Sequence, residues 1–251
     1  GDWYLELLSG QVGNLSGKNC LEIGAGTLWM AEQVVEKLGA DHIYACDPVI
    51  RTESQNSKVE VVRDYFKPER FASETIDLVL SINNLEHIPD PFEYLVNVRQ
   101  ILEPSNGSLF FVVPDSLRGL QTGDLGICVH EHLSYFTEET LENTLAACGF
   151  ELSWVHTHDD HIFATARPAP TTSGSESHSE QSMELLGTFD ERYAQNLESA
   201  RQLISSQASK NSLAIHGCSV GMNTTLALLG INSDPNIRLF DGDSRKVGKY
   251  L

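Results

Sequence analysis

The hydrophobic positions of this 251-residue chain fall into distinct regimes. Short, nearly continuous apolar runs, at Cys20 to Ile23, within Ile76 to Ile82 and at Ser108 to Val113, read as buried strands. Strands of a parallel sheet covered on both faces look like this, because both alternating sets of side chains are buried. Gly149 to His156 alternates as a strand, His158-Asp159-Asp160 is a turn, and His161 to Arg167 reads as another strand. Two strands joined by so short a loop must be antiparallel, since a parallel crossover needs about a dozen residues or more. The pattern changes after Pro168. Residues 168–182 (PAPTTSGSESHSEQS) are rich in Pro, Ser, Thr and Gly and read as an exposed linker. Met183 to about Ser209 has helical spacing, with Leu185, Leu186, Phe189, Tyr193, Leu197 and Ile204 near one stripe. A compact βαβ unit follows: a strand at Leu213 to His216, the turn Gly217-Cys218-Ser219-Val220-Gly221, a helix at Met222 to Leu229, and a strand at Ile237 to Phe240 ending at Asp241. The expected organisation is a first domain over 1–167, a linker over 168–182, and a linking helix with a partial α/β lobe over 183–251.

The first candidate chemistry lies where the first buried strand opens into glycine. Leu21-Glu22-Ile23-Gly24-Ala25-Gly26-Thr27 is followed about twenty residues on by Asp47, after a second apolar run. A strand, a glycine turn and a helix form the seat of nucleotide-like cofactors in α/β proteins, and a carboxylate after the next strand can accept both ribose hydroxyls. NAD, FAD and S-adenosylmethionine sites all use such a turn. The third glycine of the dinucleotide fingerprint is absent here, where the turn runs on through Thr27-Leu28-Trp29.

The order of motifs narrows this. From Leu21 to Arg167 the chain resembles the class I S-adenosylmethionine-dependent methyltransferases, on the glycine turn, Asp47-Pro48, Asp64-Tyr65, and the block Ile76 to Pro91 (IDLVLSINNLEHIPDP). Ile101-Leu102-Glu103-Pro104, Gly107 and the strand from Ser108 complete the match. The resemblance implies a seven-stranded α/β sheet with a reversed C-terminal strand, followed here by a partial second Rossmann-like lobe. It implies S-adenosylmethionine as cofactor, held by Glu22, Gly24, Ala25, Gly26, Asp47, Pro48, Asp64, Tyr65 and Asn83. Gly24 and Gly26 would face its amino-acid end, Asp47 the ribose, Asp64 and Tyr65 the adenine, and Asn83 the methionine backbone.

The segment His130-Glu131-His132-Leu133-Ser134-Tyr135-Phe136, with Gly217-x-x-x-Gly221 and Gly248-Lys249-Tyr250-Leu251, is similar to the nucleotide-sugar C-methyltransferases. That resemblance implies carbon methylation of a nucleotide-linked keto-sugar, with His132 as the base, Glu131 orienting the substrate and His130 in support. Imidazole is the side chain suited to proton removal near neutral pH. The chain departs from the family at Val129, where a tyrosine is usual, in the absent basic residue of the second glycine turn, and in the missing N-terminal zinc module. Two other readings share the sequence: an O- or N-methyltransferase of a natural product or glycan precursor, and a non-catalytic cofactor-binding scaffold subunit. On the simpler reading these residues cap a helix beginning near Thr137, where Thr137-Glu138-Glu139-Thr140 resembles a helix start.

Charge and cysteine usage set the limits. A net charge of −18 disfavours nucleic acid and anionic membranes as partners. No apolar run reaches the roughly 20 residues of a bilayer span, and no signal-peptide pattern is evident. The five cysteines are scattered without a Cys-x-x-Cys pair, so a reduced, cytoplasmic, zinc-free chain acting on a small molecule is expected. His130 and His132 would point the same way on a strand, but without a third ligand no metal site is expected.

Overall fold

A computed structural model describes residues 2–128, 131–170, 180–208, 212–217, 220–231 and 234–242. The chain divides into two compact units, one made of Gly1–Asp115 and Leu133–Ser177, the other of Ser116–His132 and His178–Leu251.

The first unit opens with α1 (Asp2–Val12) and β1 (Asn19–Ile23), followed by α2 (Trp29–Leu38), β2 (His42–Cys46), β3 (Val59–Val62) and β4 (Leu78–Ile82). Next come α3 (Pro91–Leu102) and β5 (Ser108–Pro114). The chain then leaves for the second unit, contributing α4 (Leu117–Thr122), and returns for α5 (Glu138–Ala147), β6 (Phe150–His158) and β7 (His161–Pro168). Seven strands form one sheet in the order β3-β2-β1-β4-β5-β7-β6. The first five are parallel, β7 runs antiparallel to β5, and β6 pairs antiparallel with β7. The sheet expected from the motifs, with its reversed strand, is therefore the sheet observed.

Two apolar layers cover it. Leu21, Val79, Phe111 and Ile162 point into one and Cys20, Leu78, Phe110 and Phe163 into the other. The inner strands β1, β4 and β5 thus bury both faces, which is why their sequences are nearly continuously apolar, whereas the edge strand β6 alternates and is partly exposed. The helices bind by stripes: α2 buries Met30, Ala31, Val34, Val35 and Leu38, and stops at Gly39 with φ 79°. Helix α3 starts at Pro91 with Asp90 as its cap, whose Oδ1 accepts from the Glu93 amide at 2.9 Å. Helix α5 begins where expected, and its cap is Thr137, with Thr137 and Thr140 capping one another reciprocally.

The second unit contains α4, the long α6 (Glu180–Ala208), β8 (Leu213–His216), α7 (Val220–Leu229) and β9 (Ile237–Phe240). β8 and β9 pair in parallel as their own two-stranded sheet. Segment 116–132 joins this unit because α6 captures the C-terminal carbonyls of α4, groups that a helix leaves without internal partners. Arg192 donates to Leu120 O at 2.8 Å, and Asn196 Nδ2 donates to Thr122 O and Gly123 O at 2.7 and 3.0 Å. Gly123, at φ +70°, lies so close to the α6 backbone that a Cβ would come 2.6 Å from Tyr193 N. Residues 171–179, most of the expected linker, and Gly248–Leu251 lie outside the described residues, as do Cys218 and Ser219 of the second glycine turn.

Candidate functional site

In an open α/β sheet the ligand crevice lies at the carboxyl ends of the strands, where the strand order reverses. Here that point falls between β1 and β4, and a cleft of 630 Å³ opens there. Each wall comes from the end of a different element. β1 supplies Ile23 and Gly24; β2 gives Cys46, Asp47 and Pro48; the loop after β3 gives Asp64, Tyr65 and Phe66. The turn after β4 supplies Asn84, His87 and Ile88, and the start of α3 closes the cleft with Asp90, Glu93, Tyr94 and Asn97.

Backbone amides fix the Asp47 carboxylate: Gly26 N–H donates to Oδ2 at 3.0 Å and Val49 N–H to Oδ1 at 2.8 Å. A carboxylate offers about four acceptor positions, so each oxygen retains one for a diol. Asp64 is held by the Tyr65 amide at 2.8 Å and by Lys67 Nζ at 2.7 Å, and the lysine keeps its carboxyl below the usual range. Cys46 is buried, with Sγ 3.3 Å from Asp64 O, and desolvation pushes its thiol up to about 11, so it is an inert wall rather than a nucleophile. Tyr65 is 74% exposed at the rim.

Of the cofactor residues expected from sequence, the fold brings Gly24, Asp47, Pro48, Asp64 and Tyr65 together around this cleft. Glu22, Ala25, Gly26 and Asn83 are not among its lining residues. Strand alternation buries Glu22 beneath the turn, where it accepts from the Ala31 amide of α2 and desolvation raises its carboxyl to about 8. The Ala25 methyl is in the core. Gly26 acts through its amide on Asp47, and a Cβ there would meet only open space. Asn83 sits at φ +48° and is exposed, while its neighbour Asn84 turns into the cleft.

A second finding concerns Gly24. Its φ of +83° favours glycine, but the space a Cβ would occupy is filled by Asn84, whose Oδ1 would be 2.8 Å away. The glycine makes room for a side chain of the next strand's turn.

A family model described as a methyltransferase domain matches residues 2–153, well over half of the chain. The chain belongs to the methyltransferase-domain family. A ubiquinone biosynthesis O-methyltransferase of Roseobacter denitrificans is 33% identical over 95 residues, 35% of this chain and 38% of that protein. Its counterpart in Ruegeria pomeroyi is 25% identical over 151 residues, 54% of this chain and 61% of that one. The chain thus spans between 38% and 61% of the length of these curated relatives. Among solved structures, a complex of the Haloferax volcanii Trm112 methyltransferase activator with a putative methyltransferase matches at TM-score 0.56 and 10% identity, covering 66% of this chain and 88% of that one. The DhpI–SAH complex matches at TM-score 0.50 and 22% identity, covering 66% and 82%. These likenesses show the fold, that of class I S-adenosylmethionine-dependent methyltransferases.

The residues of the methyltransferase domain suit its cofactor, S-adenosylmethionine. An amide-fixed carboxylate matches a ribose diol, and Tyr65 and Phe66 offer aromatic surface. Asp47, Asp90 and Glu93 give the cleft a negative lining that suits a cation, Asp64 being paired with Lys67, and no Lys or Arg is itself among the lining residues. The volume falls within the usual range for small-molecule sites.

The His-Glu-His segment is placed differently. His130 lies outside the described residues, while Glu131 is exposed and His132 half-buried, both in the second unit. The chain re-enters the first unit immediately afterwards, where Leu133 and Ser134 amides donate to Glu86 O at 2.8 and 3.1 Å. Glu86 itself is buried, and burial raises its carboxyl above the ordinary value. His87, whose Nε2 lies 3.7 Å from Glu86 Oε1, lines the cleft, while the Glu86 carbonyl anchors the segment after His132. Sequence reasoning missed Asn84, Asp90, Glu93, Tyr94 and Asn97. The signal present was the polar side of α3, whose Glu93 and Asn97 are four residues apart and flanked by the apolar stripe Tyr94, Leu95 and Val98. Among the described residues no helix is long and apolar enough to cross a membrane.

Proposed function

We propose that this protein transfers a methyl group from S-adenosylmethionine to a hydroxyl of a small molecule. The observation carrying this reading is the cleft itself: an amide-fixed Asp47 at the switch point, with Asp90 and Glu93 beside it and no Lys or Arg among its lining residues. Such a lining suits a cationic cofactor and gives no support to a diphosphate-bearing one. Bound there, S-adenosylmethionine supplies an electrophilic methyl group. Asp47, fixed by the Gly26 amide, holds the ribose, Gly24 borders the amino-acid end, and Asp64 and Tyr65 flank the adenine. Proton transfer falls to His132, which takes the acceptor's hydroxyl proton as the new O–CH3 bond forms and the S–CH3 bond breaks, with Glu131 and His130 in support. The curated relatives matched here are named as O-methyltransferases, which supports oxygen as the attacking atom. In this reading the first unit, made of Gly1–Asp115 and Leu133–Ser177, forms the cofactor domain. The free cysteines described support a reducing, cytoplasmic setting.

A second reading, carbon methylation of a nucleotide-linked keto-sugar, rests on the His-Glu-His segment, where His132 would remove an α-proton. The two separate in one experiment with a phenolic and a nucleotide-keto-sugar acceptor in D2O. O-methylation yields a methyl ether and leaves carbon-bound hydrogens in place. C-methylation is accompanied by deuterium exchange at the carbon next to the ketone. Calorimetry showing tight NAD binding and no response to S-adenosylmethionine would defeat both.

A further inference from the structure

The cofactor cleft occupies the carboxyl ends of the strands, and a further cavity of 390 Å³ opens at the other end of the same sheet. Lys18, Asp77 and Gly107 stand just ahead of β1, β4 and β5, and the antiparallel strands β6 and β7 bring Ser153, Trp154, Thr165 and Arg167 to the same edge. The segment after α1 adds Asn14. The floor is fixed: the Ser108 amide donates to Asp77 O at 2.9 Å, and a Cβ on Gly107 would come 2.7 Å from that oxygen.

Strand β6 is bent to build this wall. Its register against β7 shifts between Leu152 and Trp154. Adjacent residues of a regular strand point to opposite faces, but the bulge lets Ser153 and Trp154 both line the cavity. Ser153 Oγ donates to Thr165 O at 2.9 Å. Thr165, directly opposite Trp154, is 6% exposed, and its Oγ1 is buried with no hydrogen-bond partner. A buried hydroxyl left unpaired is costly, and folding alone does not explain this one. Charge adds a third observation. Lys18 and Asp77 pair at 2.7 Å, and the second Asp77 oxygen accepts from the Asn19 amide at 3.0 Å. Arg167 is exposed and, among the described residues, makes no ion pair; Glu151, opposite it in the register, is not a lining residue. The cavity therefore presents one uncompensated cation in a chain of net charge −18, whereas the cofactor cleft has no Lys or Arg in its lining.

We propose that this cavity is a second ligand site, separate from the cofactor cleft, for a small aromatic anion: a ring bearing a phosphate or a carboxylate. The anionic group pairs with Arg167, whose planar guanidinium donates to such oxygens two at a time. The ring lies against half-buried Trp154, and the Thr165 hydroxyl gains the partner that the fold withholds. The volume falls within the range of small-molecule sites. The two sites share no lining residue, so the inference is independent of the cofactor reading.

Calorimetry of the full chain with phenyl phosphate and with benzoate tests the two anionic groups, with S-adenosylhomocysteine present to fill the cofactor cleft. Inorganic phosphate and benzyl alcohol supply the anion and the ring alone, and at least one aromatic anion should bind more tightly than either. Arg167→Gln should weaken that anion about 10- to 100-fold, the range for a hydrogen bond to a charged group. Trp154→Leu should weaken it about two- to tenfold, the worth of an aromatic contact. Thr165→Val keeps the shape and removes only the hydroxyl. It should weaken the anion about two- to tenfold yet raise the urea midpoint of the free protein, because the unpaired hydroxyl is gone. No binding of either aromatic anion at about 10 mM overturns the proposal. So does binding that Arg167→Gln and Trp154→Leu leave unchanged, which places the anion elsewhere, or binding no tighter than that of inorganic phosphate. A protein that fails to bind S-adenosylhomocysteine removes the cofactor reading alone, since the same variants still locate the aromatic anion.

Discussion

Two strand–turn–helix–strand segments of this chain are built alike and end up in different settings. In the first, β1 runs into Gly24 at φ +83°, and the Gly24 amide donates to Cys46 O at 2.9 Å, just before Asp47. In the second, β8 runs into Gly217 at φ +98°, and the Gly217 amide donates to Phe240 O at 2.7 Å, just before Asp241. The turn is thus a local property of the motif. The surroundings are not. β1 is buried along nearly its whole length between β2 and β4, whereas β8 alternates between half-buried and exposed positions in a two-stranded sheet. A pair of strands has little stability of its own. More important for chemistry, β4 supplies Asn84 as a floor beside Gly24, while among the described residues the second sheet holds only β8 and β9.

The sharpest way to break this comparison is to add one methyl group to each turn. Gly24→Ala must adopt a left-handed backbone and displace Asn84, and should cost about 3–5 kcal/mol. Gly217→Ala meets nothing within 4 Å, so only backbone strain remains, about 1–2 kcal/mol. Native-state hydrogen exchange read separately at β1 and β8 measures each cost. Equal costs would mean that the two turns are equally hemmed in.

Next in size is the carboxylate after each second strand. Asp47→Ala should weaken S-adenosylhomocysteine by about 2–4 kcal/mol, the loss of charge-assisted hydrogen bonds to a diol. Asp241→Ala should leave that affinity unchanged. Calorimetry on both variants decides whether only the first turn serves the cofactor.

A smaller effect concerns the carboxyl beneath the first turn. Burial raises Glu22 from an ordinary 4.5 to about 8 in the folded protein. Its contribution to stability is therefore fully present below pH 4.5 and fades as pH rises through about 8, with a slope of up to ~1.4 kcal/mol per pH unit. Glu22→Gln should flatten the decline in urea midpoint between pH 5 and about 8, and an unchanged slope would show that the carboxyl is already ionised in the folded state. The smallest effect belongs to the rim. Lys67→Met should let the Asp64 pKa, read by NMR, rise toward 3.8. Because Asp64 is depressed, any stability it lends is present at neutral pH and lost on acidification, and its exposure keeps that contribution near zero.

Some of the site was legible in the amino acids and some was not, for identifiable reasons. Asp47 could be found because it lies one strand after the glycines, at a distance set by the length of a helix and a strand. The hairpin of β6 and β7 was visible because its loop is too short for any crossover, and Thr137 because a cap acts over three residues. Asn84 was not legible. Both asparagines look alike in sequence, and only the left-handed turn at Asn83 sends one outward and the other toward Gly24, 60 positions away. Glu22 illustrates the same limit: motif position suggests a ligand contact, but strand alternation buries it on the far side of the turn.

The sequence by itself therefore determined the elements, the parallel sheet with its reversed strand and the family of the chain, because these follow from local periodicity, loop length and motif order. Tertiary structure alone decided which side chains share the cleft. It also decided that segment 116–132 leaves the first unit, where the carbonyls of α4 meet Arg192 and Asn196 some 70 residues later. Hydrogen bonds and close approaches of that kind join positions whose spacing in the chain carries no periodic signal, so only the folded chain brings them together.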